Sequence, residues 1–322
     1  MLGSLPDAFG AGELRYLWAR GLVEKRLCGC GRPVPECPVW AKILANAFTD
    51  LGPTDIRRAV EAVDWLGGAS NLPTILRRGE RGRFPELGDL PGRLSQLYRA
   101  VADVTGATTI IDSSKPPTYG WLLGTLPDID LSVIHLVRDP RGTAYSWLRP
   151  KAARDRPTGG LMNRAPPWKS ALSWDLWNTM TELLFRNRPE RLLRIRYEDL
   201  VTRPDTTLPA ILRFLGYPED ALPSLQGQRF APTPSHTVAG NPSRLANESV
   251  RLELDTAWQA GMPTSTRRVV TALSSPLLFH YGYPLRHSSD TAGAGRGDPP
   301  GVSAAASAPR GRPSPGQLTR RS

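Results

Sequence analysis

Three short apolar runs in this chain each end in polar or charged residues. TTII (108–111) is followed by Asp112, LSVIHLV (131–137) is followed by Arg138, and LLRIRY (192–197) is followed by acidic residues. Segments with helical spacing separate the runs, which predicts an α/β fold with a parallel central sheet flanked by helices. In such folds the chemistry lies at the carboxyl ends of the strands, so these polar residues are the first candidates for a site.

The composition excludes several classes of protein. Of the 322 residues, 40% are hydrophobic, which is enough for a large core. No run approaches the about 18 consecutive apolar residues of a membrane helix, and the N-terminus has no basic and apolar leader pattern. We therefore expect a soluble, cytoplasmic protein with no membrane span. Its three cysteines are too few for a disulfide framework.

The chain divides by composition near its end. Residues 1–287 have the patterning of one folded domain, whereas 288–322 contain no aromatic residue and only Val302 and Leu318 as large aliphatic residues. That second segment is predicted to be a disordered tail. The net charge is +11, but the arginines are scattered and form no basic stripe interleaved with aromatic residues. Nucleic-acid binding would rest on charge alone and is not expected.

The segment SVIHLVRDPRGTAYSW (132–147) carries the strongest pattern. A buried strand would end at Arg138, Asp139 suits the cap of a following helix, and Pro140 suits its first position. Ser146 lies eight residues after Arg138, about two helical turns further on. A guanidinium fork, a hydroxyl and a helix N-terminus together suit a phosphate dianion. The alternative is an ordinary strand–turn–helix in which Arg138 pairs with Asp139 or another carboxylate.

At this segment the sequence resembles the sulfotransferases that use 3′-phosphoadenosine 5′-phosphosulfate (PAPS), especially the bacterial branch. The resemblance covers roughly residues 1–285 and includes, in family order, GELRYLWARGL, LCGCGRPVPECPVW, IIDSSKPP, RYEDLVTRPDTTLPAILRFLG and HTVAGNPSRL. It implies a P-loop NTPase-like sulfotransferase fold and transfer of a sulfuryl group from PAPS to a hydroxyl or amine. The implied acceptor is a small molecule or a carbohydrate, and no metal is implied.

The resemblance also implies a set of nucleotide contacts. Arg138 and Ser146 match the two family ligands of the 3′-phosphate. In RYEDL, Tyr197 matches a tyrosine near the adenine, although it would equally suit the closure of a strand against the core. In GNPSR, Arg244 matches a late ligand of the 3′-phosphate, and Gly240 would permit close backbone approach. The alternative there is a plain turn with an exposed arginine.

For the transfer itself, positioning and cationic stabilisation should supply most of the catalysis, and a base should remove the acceptor proton. Glu13, in GELR, resembles the acidic residue of some family branches, and Asp112 is the rival; a solvated helix-start glutamate and a turn-capping aspartate are the alternatives. Lys115 would approach the transferring group or the acceptor, and Ser113 and Ser114 would hydrogen-bond the nucleotide. The same DSSK segment would also suit a polar turn that only ends a strand.

One family element is not found in this sequence. Family members begin with a strand, a Gly/Ser/Thr-rich loop that wraps the 5′-phosphosulfate, and a helix, whereas residues 1–6 here resemble only the last turn of that helix. We therefore expect an N-terminally truncated fold, in which the central sheet lacks a strand, or a start site recorded too late. The alternative function is accordingly a truncated, catalytically impaired nucleotide-binding homologue.

Two further segments remain open. Cys28, Cys30 and Cys37 form C-x-C-x₆-C with no histidine near them in the sequence, so packing or an occasional disulfide is favoured over a metal, for which a fourth ligand would have to come from elsewhere. His135, within a strand, is expected to be a satisfied core residue. The Pro/Arg-rich stretch 149–168 is predicted to be a mobile loop on the acceptor side or a long surface connection.

Overall fold

The computed structural model describes residues 1–80, 82–156, 158–222, 229–230, 235–240, 242–245, 250–251 and 253–285. The tail predicted over 288–322 lies outside these residues. Within them, no helix combines the length and the apolar character needed to cross a bilayer.

Helices and parallel strands alternate along the chain, which confirms the predicted α/β class. The strands are β1 (Ala8–Gly12), β2 (Thr109–Asp112), β3 (Val133–Val137), β4 (Leu192–Arg196), β5 (Arg229–Phe230) and β6 (Val250–Arg251). The helices are α1 (Pro38–Ala47), α2 (Pro53–Leu66), α3 (Leu72–Arg78), α4 (Leu90–Thr105), α5 (Pro117–Leu123), α6 (Pro140–Leu148), α7 (Pro167–Phe185), α8 (Tyr197–Thr202), α9 (Pro204–Phe214), α10 (Ala257–Gly261), α11 (Thr264–Leu273) and α12 (Ser275–His280). A π-helix over Leu17–Val23 precedes them.

The strands form pairs rather than one continuous sheet. β1 pairs with β2 and β3 pairs with β4, both in parallel, while β5 and β6 form a short antiparallel pair. No strand of the described residues joins β2 to β3, so the single central sheet expected from the sequence is seen as two parallel pairs. Each pair brings two strand ends, and the polar residues after them, to one edge.

Strand β1 was not foreseen from the sequence. Its residues, AFGAG, include no β-branched side chain, and their extended conformation comes from pairing with β2 and from a bridge between Gly12 and Val238. The register slips between Gly10 and Gly12, and Gly12 has a φ of 83°. A Cβ at Gly12 would lie 2.3 Å from the Val238 carbonyl oxygen, so this close approach of two backbones requires glycine.

The largest core lies between the β1–β2 pair and the helices of the N-terminal half. Along α4, Leu90, Leu94, Leu97 and Val101 are fully buried at three- and four-residue spacing, as an amphipathic helix requires. The helix ends at Gly106, whose left-handed φ of 69° suits glycine. A smaller cluster covers β3 and includes Val137, Trp174, Leu278, Tyr281 and Tyr283. These cores hold the two strand pairs rigidly where their polar ends emerge.

Candidate active site

The turn after β3 directs Arg138 away from the core. Asp139 caps α6 by accepting the Arg141 backbone N–H at 2.8 Å, and Pro140 takes the first helical position, as the sequence predicts. The Arg138 carbonyl accepts the Trp174 indole N–H at 2.9 Å, which fixes the backbone. Gly142 leaves room beside Arg138, because a Cβ there would lie 3.3 Å from the Arg138 Nε. The Arg138 side chain is therefore held at the strand end and is 26% exposed.

The structural ion pair of this turn belongs to Arg141. Its Nε and Nη2 donate to both oxygens of Asp139 at 2.7–3.2 Å, and Nη2 also donates to the Pro284 carbonyl. The Arg141 side chain is 2% exposed. Asp139 therefore pairs with Arg141, and Arg138 is left for another anion.

Two further cations, Arg149 and Lys151, lie near Arg138. The Nη2 atoms of Arg138 and Arg149 donate to the same oxygen, Oδ2 of Asp255, at 3.1 and 2.9 Å. Lys151 donates to the Ser146 hydroxyl at 2.7 Å. Burial lowers the pKa of the Lys151 ammonium, and the nearby charges of Arg149 and Arg138 lower it further. The structure thus brings Arg138 and Ser146 into one cationic cluster, defined by Arg138, Ser146, Arg149, Lys151 and Asp255.

Tyr197 lies beside this cationic cluster. It begins α8 directly after β4, and the Arg138 guanidinium carbon lies 4.8 Å from the centre of its ring. Its hydroxyl donates to the Glu253 carbonyl at 3.4 Å. The next residue, Glu198, accepts the Asp139 N–H at 3.1 Å and the Tyr283 hydroxyl at 2.6 Å, which ties the ends of β3 and β4 together. Tyr197 is half-buried at the edge of the fold.

The ends of β1 and β2 form a second polar group. Glu13 directly follows β1, is 6% exposed, and accepts a hydrogen bond from the Lys115 ammonium. Lys115 itself is an exposed residue of the turn after β2. The Glu13 backbone N–H donates to the Val238 carbonyl at 2.7 Å. A buried carboxylate is thereby paired with an ammonium that reaches solvent.

The Asp112 carboxylate is engaged in hydrogen bonds with neighbouring residues. Its Oδ1 accepts the backbone N–H of Ser114 at 2.7 Å and that of Leu14 at 3.3 Å, while its Oδ2 accepts the Tyr98 hydroxyl. Burial raises the pKa of Asp112, and these hydrogen bonds act against the increase. Ser114 accepts the Arg15 N–H at 3.1 Å, and Ser113 is exposed. These contacts hold the turn after β2 against the segment that carries Glu13.

Gly240 and Arg244 lie with Glu13 rather than with Arg138. A Cβ at Gly240, whose φ is 114°, would lie 4.0 Å from the Glu13 Oε1 and 3.6 Å from the Arg244 Cδ. Arg244 donates to the Thr237 carbonyl at 2.9 Å and to the Leu27 carbonyl at 2.7 Å. No contact of the described residues joins Arg244 to Arg138. The structure therefore does not bring together the two arginines that the resemblance assigns to one phosphate.

One segment of the chain matches a known protein family. Residues 90–221 match the sequence model of the sulfotransferase family. The matched segment holds Arg138, Ser146, Tyr197 and the DSSK turn, and the predicted recognition of a sulfotransferase is confirmed there. Glu13, Gly240 and Arg244 lie outside it.

A solved structure is also similar to this chain. It is a sulfotransferase domain from the curacin biosynthetic pathway, with 17% sequence identity and a TM-score of 0.40. The similarity covers 86% of this chain and 98% of that domain. No curated protein matches the sequence.

Sequence reasoning missed three residues of the cationic cluster. Arg149 and Lys151 follow α6 in the stretch that was predicted as a loop, and Asp255 lies more than 100 residues beyond Arg138. The proximity of two basic residues to the end of the Ser146 helix was a usable signal for the first two. Nothing near Asp255 in the sequence indicates its partners.

Proposed function

We propose that this chain is a PAPS-dependent sulfotransferase that transfers a sulfuryl group to a hydroxyl or amine of a small-molecule or carbohydrate acceptor. The observation that carries the proposal is the convergence of Arg138 and Arg149 on one anionic oxygen, beside Ser146, after β3. The family match over residues 90–221 supports the reaction class.

The cationic cluster fits a phosphate dianion. The Asp255 Oδ2 stands where an oxygen of such an anion would accept from both arginines, and a dianion could in addition accept from Lys151 and Ser146. Three cations against one carboxylate leave the cluster with an excess positive charge, which favours a doubly charged ligand. In this role Arg138 and Ser146 would bind the 3′-phosphate, and Tyr197 would offer its ring to the adenine.

The pair formed by Glu13 and Lys115 suits the reacting end. PAPS, when bound, supplies the sulfuryl group, and the electron pair of the broken sulfur–oxygen bond leaves with the nucleotide as 3′-phosphoadenosine 5′-phosphate. Glu13 would accept the proton from the acceptor as the new bond to sulfur forms. Lys115 would place its ammonium beside the negative charge that develops on the transferring oxygens. Ser113 and Ser114, on the same turn, would hydrogen-bond the nucleotide.

Calorimetric titration tests the donor assignment. Purified chain should bind 3′-phosphoadenosine 5′-phosphate more tightly than AMP or ATP, because only the first carries a 3′-phosphate for the cationic cluster. Arg58→Ala, which removes one charge from an exposed position of α2, is the control for nonspecific attraction by a basic protein. Equal or tighter binding of ATP would refute the assignment.

Turnover distinguishes the enzyme from its alternative. PAPS consumption is measured with a panel of phenols, amines and sugars as acceptors, and an acceptor-dependent rate supports the sulfotransferase. Tight binding of the bisphosphate with no consumption across the panel would instead favour a nucleotide-binding homologue without catalysis.

A further inference from the structure

The fold brings a histidine to the three cysteines that stood alone in the sequence. Cys28, Cys30 and Cys37 lie in the loop that leads to α1, and His236 lies about 200 residues later. The three sulfur atoms and a ring nitrogen of His236 all lie within 4.8 Å of one another. The Nδ1 of His236 is 3.2 Å from the Cys37 Sγ and 4.0 Å from the Cys28 Sγ. His236 is therefore a candidate for the fourth ligand, which would have to come from elsewhere in the chain.

The two sulfur–nitrogen distances lie close to the corresponding edge of a zinc tetrahedron. With zinc–sulfur bonds of about 2.3 Å and a zinc–nitrogen bond of about 2.0–2.1 Å, tetrahedral angles place sulfurs about 3.8 Å apart and sulfur about 3.6 Å from nitrogen. The observed separations of 3.2 and 4.0 Å lie on either side of the second value. We propose that Cys28, Cys30, Cys37 and His236 form a structural zinc site.

The two loops are shaped around this cluster. A Cβ at Gly29 would lie 2.4 Å from the Ser235 carbonyl oxygen, so only glycine allows the histidine loop to pass so close. The Gly29 N–H donates to the Thr237 carbonyl at 3.0 Å, and the Trp40 indole donates to the His236 carbonyl at 2.5 Å. These bonds fix the backbone on both sides of His236. The ligands are therefore held in place by contacts that do not involve the sulfurs.

Burial and charge also suit a metal. Cys28 and Cys37 are fully buried, while Cys30 is exposed and gives an ion a route to the cluster. Zinc binding would release the three thiol protons to solvent, and one Zn²⁺ with three thiolates and a neutral imidazole carries a single negative charge. The Arg244 guanidinium, which donates to the carbonyl of Leu27 beside Cys28, lies where it stabilises that charge.

The role of this zinc is positional. It would join the loop of residues 28–37 to residues 235–240, whose Val238 accepts the Glu13 N–H at 2.7 Å and donates to the Ala11 carbonyl at 2.8 Å. The ion would thus lock the segment that backs Glu13 without touching the reacting atoms. This role holds whether or not the chain transfers sulfuryl groups.

Metal titration of the full chain tests the site. Protein stripped with a chelator under reducing conditions is titrated with Co²⁺ and then with Zn²⁺. We expect one Co²⁺ per chain, with thiolate-to-cobalt charge-transfer bands and the visible bands of tetrahedral cobalt, and loss of both when Zn²⁺ displaces it. Cys37→Ser and His236→Ala should weaken zinc binding by more than the about 10–100-fold lost with an outer hydrogen bond. His280→Ala, at an exposed histidine of α12, is the matched control and should bind as the unaltered chain does.

Three results would overturn the zinc site. They are binding of less than one ion per reduced chain, a cobalt spectrum without thiolate bands, and zinc affinity unchanged in both Cys37→Ser and His236→Ala. If the variants do not fold, the cobalt spectrum of the unaltered chain decides, together with release of its zinc by a thiol-blocking reagent. A Cys28–Cys37 disulfide that persists under reducing conditions would also overturn the site, because the chain would then bind less than one ion.

Discussion

Replacing Arg138 with alanine separates ligand recognition from structural support. Its pairing with Asp255 joins side chains that are 26% and 30% exposed, and such pairs contribute only about 0.2–1 kcal/mol to folding. A charge-assisted hydrogen bond to a bound phosphate is worth more, about 1.5–3 kcal/mol, before partial replacement by water. Arg138→Ala should therefore lower the affinity for 3′-phosphoadenosine 5′-phosphate by about 10- to 150-fold per lost hydrogen bond. It should change the free energy of unfolding by less than about 1 kcal/mol.

Arg141→Ala is the matched structural control, since it lies three residues away. It would leave the Asp139 carboxylate, 9% exposed, buried without its cation. Breaking a buried pair in this way costs about 3–5 kcal/mol of folding free energy. In urea unfolding, Arg141→Ala should lower the midpoint strongly, whereas Arg138→Ala should leave it nearly unchanged.

The assay compares three quantities in both variants: calorimetric affinity for 3′-phosphoadenosine 5′-phosphate, affinity for AMP, and the urea midpoint. If Arg138 recognises the 3′-phosphate, Arg138→Ala lowers only the affinity for 3′-phosphoadenosine 5′-phosphate, because AMP has no 3′-phosphate. Equal loss of both ligands in Arg138→Ala, together with a lowered midpoint, would refute the reasoning and make Arg138 a structural residue.

Three other perturbations have defined outcomes. Ser146→Ala removes one hydrogen bond from a hydroxyl and should weaken the binding of 3′-phosphoadenosine 5′-phosphate by about 0.5–1.5 kcal/mol in calorimetry, with AMP binding unchanged. An equal loss of AMP affinity would contradict this role. Glu13→Gln should slow PAPS turnover by about 10²- to 10⁴-fold while the bisphosphate affinity stays within twofold, and full turnover would remove Glu13 as the base. Burial lowers the pKa of His135, so as the pH falls below about 6.5 this histidine is protonated in the unfolded chain before it is protonated in the folded one. The free energy of unfolding should therefore drop by up to about 1.4 kcal/mol per pH unit. The drop should end once the pH has passed the folded pKa of His135. His135→Gln should reduce that slope in urea titrations, and an unchanged slope in this variant would refute the assignment.

The sequence predicted most reliably those elements whose signals lie within one continuous segment. The runs 131–137 and 192–197 became β3 and β4, and the Asp139 cap and Pro140 start of α6 lie where the pattern put them. His135 is buried, as expected, and its Nε2 hydrogen-bonds Asn178, but its Nδ1 has no hydrogen-bond partner among the described residues. In each case, local propensity and burial agree, so the segment alone carries the information.

What the sequence could not show depends on contacts between distant segments. The strand AFGAG has weak intrinsic preference for extension and becomes β1 only through its neighbours. His236 contacts Cys37 although the two are about 200 residues apart in the sequence. The spacing of residues does not predict contacts between segments so far apart. The resemblance placed Arg244 with Arg138, yet in the fold its partners are the carbonyls of Thr237 and Leu27.

The backbone contacts between Val238 and the end of β1 have a consequence for synthesis of the protein. Glu13 and Val238 are 225 residues apart, yet their main chains are joined directly. At a translation rate of about 5–20 residues per second, roughly 11–45 s pass on the ribosome between the two residues. Throughout that interval the edge of β1 at Gly12 lacks its bridge to Val238. The thiols of Cys28 and Cys37 likewise lack their contact with His236. The nascent chain therefore carries an open strand edge and free thiols until residues 235–240 have been made.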